Sequence, residues 1–327
     1  MKYRIYTIAL CSALLLAPGC KKDEDSTPYL SGEVKFDKIP TYVVYGDSFH
    51  RDVTGAYGSG SELVGYRLYD SITAVSDTLR HEGQSGDVSF DYTVTKDTTG
   101  TFTLTVYAFC TGYYGLSKSG TFTIVNPSLG EKGSLAGHPF GTALVSFSDD
   151  PRDGARYYTT TVGGSEWMAQ NLHYAACGAP YSDAEAMSSI FGRYYTYDEA
   201  LAACPAGWHL PSDAEFISLA GSGTPHEKIS GGADALKGGL SFNGSEMWAY
   251  SKSSVKVTNS TLFTAIPVGY SPTEGEFRGY GDGAFFWTSD AIDATNSLVR
   301  YIRYDSDDIF AGSMDRSFRA SVRCVKD

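Results

Sequence analysis

Two hydrophobic rhythms divide this 327-residue chain. From about residue 31 to residue 125, apolar and polar residues alternate in short runs separated by Gly, Asp and Ser. Thr101-Phe102-Thr103-Leu104-Thr105-Val106-Tyr107-Ala108 keeps period 2 throughout, and Thr121-Phe122-Thr123-Ile124-Val125 follows. Residues 34–36, 42–45, 63–69 and 88–94 carry the same pattern. Successive strand residues point to opposite faces, so each run offers one apolar face to a core. Six or more such strands within about 95 residues predict a β-sandwich. Asn126-Pro127, then Gly130 and Gly133, mark a linker. Beyond it, Thr196-x-x-Glu199 and Ser212-x-x-Glu215 are capping boxes, each offering a hydroxyl and a carboxylate to free backbone N–H groups. They predict helices over 197–203 and 213–220, the first stopped before Pro205 and the second ended at Gly221. The chain then returns to Gly-rich loops and strands such as 298–304, an α+β pattern. The expected fold class is mostly β. A sandwich occupies residues 31–127, a linker and domain entry 128–155, and an α+β domain 156–327.

Composition and charge remove some functions from consideration. Aromatics make up 14% of the chain, with 24 Tyr and 17 Phe against 5 Met, a bias toward pleated surfaces over helical bundles. The formal charge is −12; a nucleic-acid binder needs a basic footprint, so no nucleic-acid partner is expected.

The start of the chain reads as an address. Lys2 and Arg4 precede an apolar run from Ile8 to Ala17 that is broken only by Cys11 and Ser12. The run is too short to cross ~30 Å of hydrocarbon as a helix and reads as a secretory signal. Leu16-Ala17-Pro18-Gly19-Cys20 resembles a lipobox, where a small residue precedes a Cys that is diacylated and becomes the mature N terminus. Here the usual Leu stands one position further from the Cys, with Ala17 in its place. The expectation is a signal peptide at 1–19, lipidation at Cys20 and a tether over 20–30. Lys21-Lys22-Asp23-Glu24-Asp25 resembles the acidic export tag of Bacteroidota lipoproteins flipped to the outer face of the outer membrane. This implies an outer-membrane lipoprotein at the cell surface. Without Lys2 and Arg4 the mature chain carries 24 basic against 38 acidic residues, or −14, so the membrane is a partner through the lipid anchor and not through charge. Asp25-Ser26-Thr27, Asp70-Ser71-Ile72, Asp77-Thr78-Leu79 and Asp97-Thr98-Thr99 resemble acceptors for periplasmic O-glycosylation.

The second half carries a more specific signature. Glu166-Trp167-Met168-Ala169-Gln170-Asn171-Leu172 is followed by Gly192-Arg193-Tyr194-Tyr195-Thr196-Tyr197 and then Cys204-Pro205-Ala206-Gly207-Trp208-His209-Leu210-Pro211-Ser212. Phe263-Thr264-Ala265-Ile266-Pro267-Val268-Gly269-Tyr270, Phe286-Trp287-Thr288-Ser289 and the terminal Ser321-Val322-Arg323-Cys324-Val325-Lys326-Asp327 complete the series. In this order and spacing they closely resemble the Fibrobacter succinogenes major paralogous domain of secreted and lipid-anchored bacterial proteins. The resemblance implies a C-type-lectin-like fold, related to the formylglycine-generating enzymes, with no established general activity. Residues 100–125 resemble one hairpin of immunoglobulin-like or PKD-like modules, and the sandwich reads as a spacer.

Six Cys are present. Cys11 leaves with the signal and Cys20 takes the lipid, which leaves Cys110, Cys177, Cys204 and Cys324 in an oxidising compartment. Cys204 and Cys324 both lie in motifs of the resemblance, which implies that they pair. Cys110 falls in register with Phe102, Leu104, Val106 and Ala108 and reads as a core-facing thiol. The family often shows two Cys around Cys177, and here the second is missing.

The formylglycine-generating enzymes need a close pair of reactive Cys near the C-terminal end, and only Cys324 stands there. A nucleophile elbow, a Gly-rich phosphate loop and His-x-x-x-His spacing are all missing from the sequence. His209, flanked by Trp208 and Pro211, reads as a satisfied packing group. Calcium-dependent sugar binding needs Glu-Pro-Asn or Gln-Pro-Asp and Trp-Asn-Asp to supply oxygen ligands, and neither occurs. Asp305, Asp307 and Asp308 read as a solvated turn, and Trp167, Trp208 and Trp287 as core. The expectation is a non-catalytic recognition module with no cofactor and no metal. Trp248, Tyr250, Arg278, Tyr280 and Asp282, in loops between about Asn243 and Asp290, are its candidate ligand-binding residues. The partners open to it are a glycan or an envelope protein. The rival readings are a structural surface or pilus-tip-like subunit and a formylglycine-type oxidoreductase.

Overall fold

A computed structural model describes residues 27–57, 64–79, 88–130, 133–249 and 255–327. The signal peptide, Cys20 and Tyr250 lie outside the described residues. The described chain is mostly β, arranged in several sheets.

In the N-terminal half, Ser31–Lys35, Ser48–Tyr57 and Val88–Thr93 form a three-stranded antiparallel sheet. Tyr42–Val43, Leu116–Ile124, Gly100–Phe109, Gly65–Asp70 and Val75–Leu79 form, in that order, a five-stranded sheet. Only the first pair in it is parallel. The apolar faces of the two sheets meet in one buried cluster, where Val53, Phe90 and Tyr92 of the first join Leu68, Leu104 and Phe122 of the second. This is the two-layer packing that period-2 patterning demands. The alternation located most of these strands and passed over two. Val75–Leu79 is an edge strand with no buried residue, so it has no apolar side to reveal itself. Ser48–Tyr57 carries His50, Arg51 and Asp52 in its middle, and the charges hide a strand whose Val53 is fully buried. Cys110 packs against the edge of this core, only partly buried and unpaired.

Residues 128–155 contribute strands of their own. Leu135–Ala136 pairs with Ser241–Phe242, and Ser146–Asp149 pairs with Arg156–Val162. The latter opens a five-stranded antiparallel sheet that continues through Ser165–Met168 and Val325–Lys326 to Trp208–His209. The chain's last strand thus lies between two segments that are over a hundred residues earlier. A second sheet joins Gly283–Ala291, Asn296–Arg303 and Ile309–Asp315 in an antiparallel meander. Both expected helices form, as Tyr197–Ala203 and Asp213–Ala220, and both capping boxes are complete. The second helix buries Phe216 and Leu219 beside Trp167 and Phe286.

The halves share a further core. Val125, Met187, Phe191, Phe242 and Ile266 are buried together, with Tyr42 and Val44 of the sandwich packed against them. The Tyr42 ring lies 5.9 Å from Tyr181 and 6.5 Å from Phe242.

Candidate aromatic cleft

The signature segments of the second half converge on one another. Arg323 is fully buried, and its guanidinium donates to Asn171 Oδ1 at 2.7 Å, to the Phe263 carbonyl at 2.6 Å and to the Thr264 carbonyl at 2.9 Å. It also lies over the Phe263 and Phe286 rings. Burial pulls this guanidinium down to about 9, so it stays charged at neutral pH, held by carbonyl dipoles and ring faces. Trp287 Nε1 donates to the Tyr195 carbonyl and Tyr194 Oη to the Val268 carbonyl, both at 2.7 Å. Cys204 and Cys324 form a disulfide that ties the end of one helix to the residue just before the last strand. Trp167, Trp208 and Trp287 are core residues. The buried residues of the segments that carry the resemblance are therefore spent on holding the fold.

His209 does more than pack. It is half-exposed, and its ring nitrogens lie 2.7 Å from Asp327 Oδ1 and 2.8 Å from Glu215 Oε1. The aspartate run 305–308 is also not a solvated turn. Asp307 receives the backbone N–H groups of Ala233 and Asp234, Asp308 binds Lys228 and the Gly231 N–H, and Asp305 binds Arg303. The run anchors the 228–234 loop. Cys177 is unpaired and partly buried.

The loop residues expected to meet a ligand separate. Trp248 is buried, because its indole N–H donates to the Gly238 carbonyl at 3.0 Å and its ring packs in the core beneath the second sheet. That corrects its reading as a solvent-facing group. Tyr280 is 42% exposed and turns toward Phe191 and Tyr181, 5.7 and 5.8 Å away; burial, with Tyr181 adding to it, pushes its phenol up to about 12. Arg278 is exposed, bound to Glu276, with Tyr270 beside it. Asp282 is exposed on the rim of an open cleft of about 780 Å³.

That cleft lies over the face of the Gly283–Ala291, Asn296–Arg303, Ile309–Asp315 sheet that also sends Trp287, Val299 and Met314 into the core. Strand register sets Tyr301 directly opposite Phe285 on one side and Phe310 on the other. Both neighbouring rings lie 5.1 Å from Tyr301, with planes only 12° and 16° apart. Tyr270 stands 5.0 Å from Phe285, and Phe318 stacks on Tyr270 at 6.3 Å. Five half-buried rings follow one another here: Phe318, Tyr270, Phe285 and Tyr301 line the cleft, and Phe310 stacks on Tyr301 beyond its edge. Arg303, Asp282 and Asp315 give the cleft its charged margin. Sequence reasoning found Asp282 and missed the rings. The available signal was Tyr301, two residues from Arg303 on a strand whose residues 297–300 and 302 are buried.

A row of half-buried aromatic rings thus stands beside a framework of buried signature residues. Residues 160–326 match the model of the Fibrobacter succinogenes major domain, and the chain belongs to that family. No curated protein matches the chain. Among solved structures, CopC from Methylosinus trichosporium OB3b aligns over 29% of this chain and 93% of its own, at 13% identity and a TM-score of 0.20. That likeness carries no argument about fold or function.

Proposed function

We propose that this chain is a surface lipoprotein of the outer membrane, anchored at Cys20, that presents a non-catalytic recognition module. The sandwich acts as an immunoglobulin-like spacer, and the C-terminal half is a C-type-lectin-like domain. The ring-lined cleft carries the reading, because a row of half-buried rings is apolar surface kept at the solvent boundary. Two observations support the absence of catalysis. Cys324 is bonded to Cys204 and has no free thiol to offer, and the signature residues Trp287, Arg323 and Asn171 are engaged in packing and hydrogen bonds that hold the fold.

The test pairs location with binding. An acyl probe fed to cells should label the wild-type chain and leave Cys20→Ala unlabelled; equal labelling of both would remove the anchor. Cells displaying Tyr301→Ala at wild-type abundance should adhere less to polysaccharide-coated or envelope-coated surfaces. If cells lacking the chain adhere as well as the wild type, the recognition reading fails.

A further inference from the structure

We infer that the aromatic cleft binds a neutral glycan chain, sugar ring on aromatic ring, without a metal ion. This rests on the recognition reading above and narrows it to one ligand class.

The first argument is how the rings are seated. A Cβ at Gly312 would stand 3.1 Å from Tyr301 Cε1, and one at Gly283 would stand 2.9 Å from Phe285 Cε2. The two rings therefore lean into the space that a side chain on these glycines would fill. With nearly parallel planes, 5.1 Å apart on adjacent strands, the rings form a continuous apolar row. The C–H-rich face of a pyranose is apolar while its edge carries hydroxyls, so it needs an apolar platform with hydrogen-bonding groups at the margin. The cleft supplies both, with Asp282, Ser313 and Tyr304 among its lining residues.

The second argument separates a glycan from a protein partner. Protein hot spots are built on a deep pocket that accepts a large anchor. Here the aliphatic lining residues Val299 and Met314 are already 2% and 8% exposed. What remains open is aromatic and polar.

The third concerns charge. Arg303, the margin's cation, is bound to Asp305, while Asp282 and Asp315 line the same cleft and the chain is acidic. An anionic polysaccharide would be repelled, whereas a neutral one is indifferent to this field.

Affinity electrophoresis of the full-length chain in detergent, through native gels containing β-glucan, xylan, mannan or the anionic polymer alginate, tests the inference. Retardation by at least one neutral polysaccharide is expected, unchanged by EDTA. Tyr301→Ala and Phe318→Ala, both in the cleft lining, should weaken it about tenfold or more, or ~1.4 kcal/mol, and Tyr301→Phe should retain it. Near-UV circular dichroism reports whether each variant is folded; Phe318, in the bend after the Ile309–Asp315 strand, carries the test if Tyr301→Ala is not. Retardation by alginate alone, or by neutral gels equally for both alanine variants, would overturn the inference. If no neutral polysaccharide retards the chain while Tyr301→Ala still abolishes adhesion, the glycan is wrong and the recognition module stands. If neither assay responds, both fall.

Discussion

His209 shows how one residue can join distant parts of the chain. Strand pairing brings the terminal Asp327 to one ring nitrogen, and the capping box brings Glu215 to the other. Burial alone would lower its pKa, but hydrogen bonds to Asp327 and Glu215, with their charges, outweigh this and raise it. A group whose folded pKa lies above its unfolded value contributes fully below the unfolded value and is lost as pH rises through the folded one. His209 therefore stabilises most below about pH 6.5 and progressively less above it. The melting-temperature advantage of wild type over His209→Gln should shrink from about pH 6 to about pH 8; an advantage that grows over this range would show that the bridge does not act this way. Residue type alone was a poor guide to such roles. Trp248, Tyr280 and Asp282 come from one loop-rich stretch, and the structure sends one inward, one toward Tyr181 and one to the cleft.

At the scale of elements, local rules were strongest where the chain satisfies its own backbone. In the helix Asp213–Ala220, Ser212 Oγ accepts from the Glu215 N–H, and Glu215 Oε2 accepts from the Ser212 N–H at 2.7 Å. These groups lie three residues apart, so the helix start was legible before any tertiary contact existed. Ser212→Ala should cost about 1 kcal/mol in urea denaturation, and an unchanged midpoint would mean that the box is redundant. Strands were legible only when one face was buried. Thr101–Ala108 announced itself through Leu104, Val106 and Ala108, all buried. The exposed Val75–Leu79 strand did not, because its hydrogen-bond partner is what defines it. The aromatic row follows the same logic: Phe285, Tyr301 and Phe310 are scattered in sequence, and only register aligns them.

At the scale of the whole molecule, the C-terminal half is closed by its own end. Residues 321–325 run between the early strand Ser165–Met168 and the cysteine-bearing loop, and the Cys204–Cys324 bond spans 120 positions. In the chain-entropy model such closure contributes ~4–5 kcal/mol. Guanidinium denaturation with reductant should therefore show a large loss of stability relative to the oxidised protein. Peptide mapping without reductant should recover the Cys204–Cys324 pair; recovery of both as free thiols would refute the bridge. By itself the sequence determined the β-rich character of the first half, the two capped helices, the family and the core places of Trp167, Trp208 and Trp287 but not of Trp248, because periodicity, capping and motif order are local and repeat along the chain. Tertiary structure alone decided the aspartate anchor, the core shared by the two halves and the aromatic cleft, because each joins residues that no local pattern links and whose neighbours are set by sheet register and chain closure.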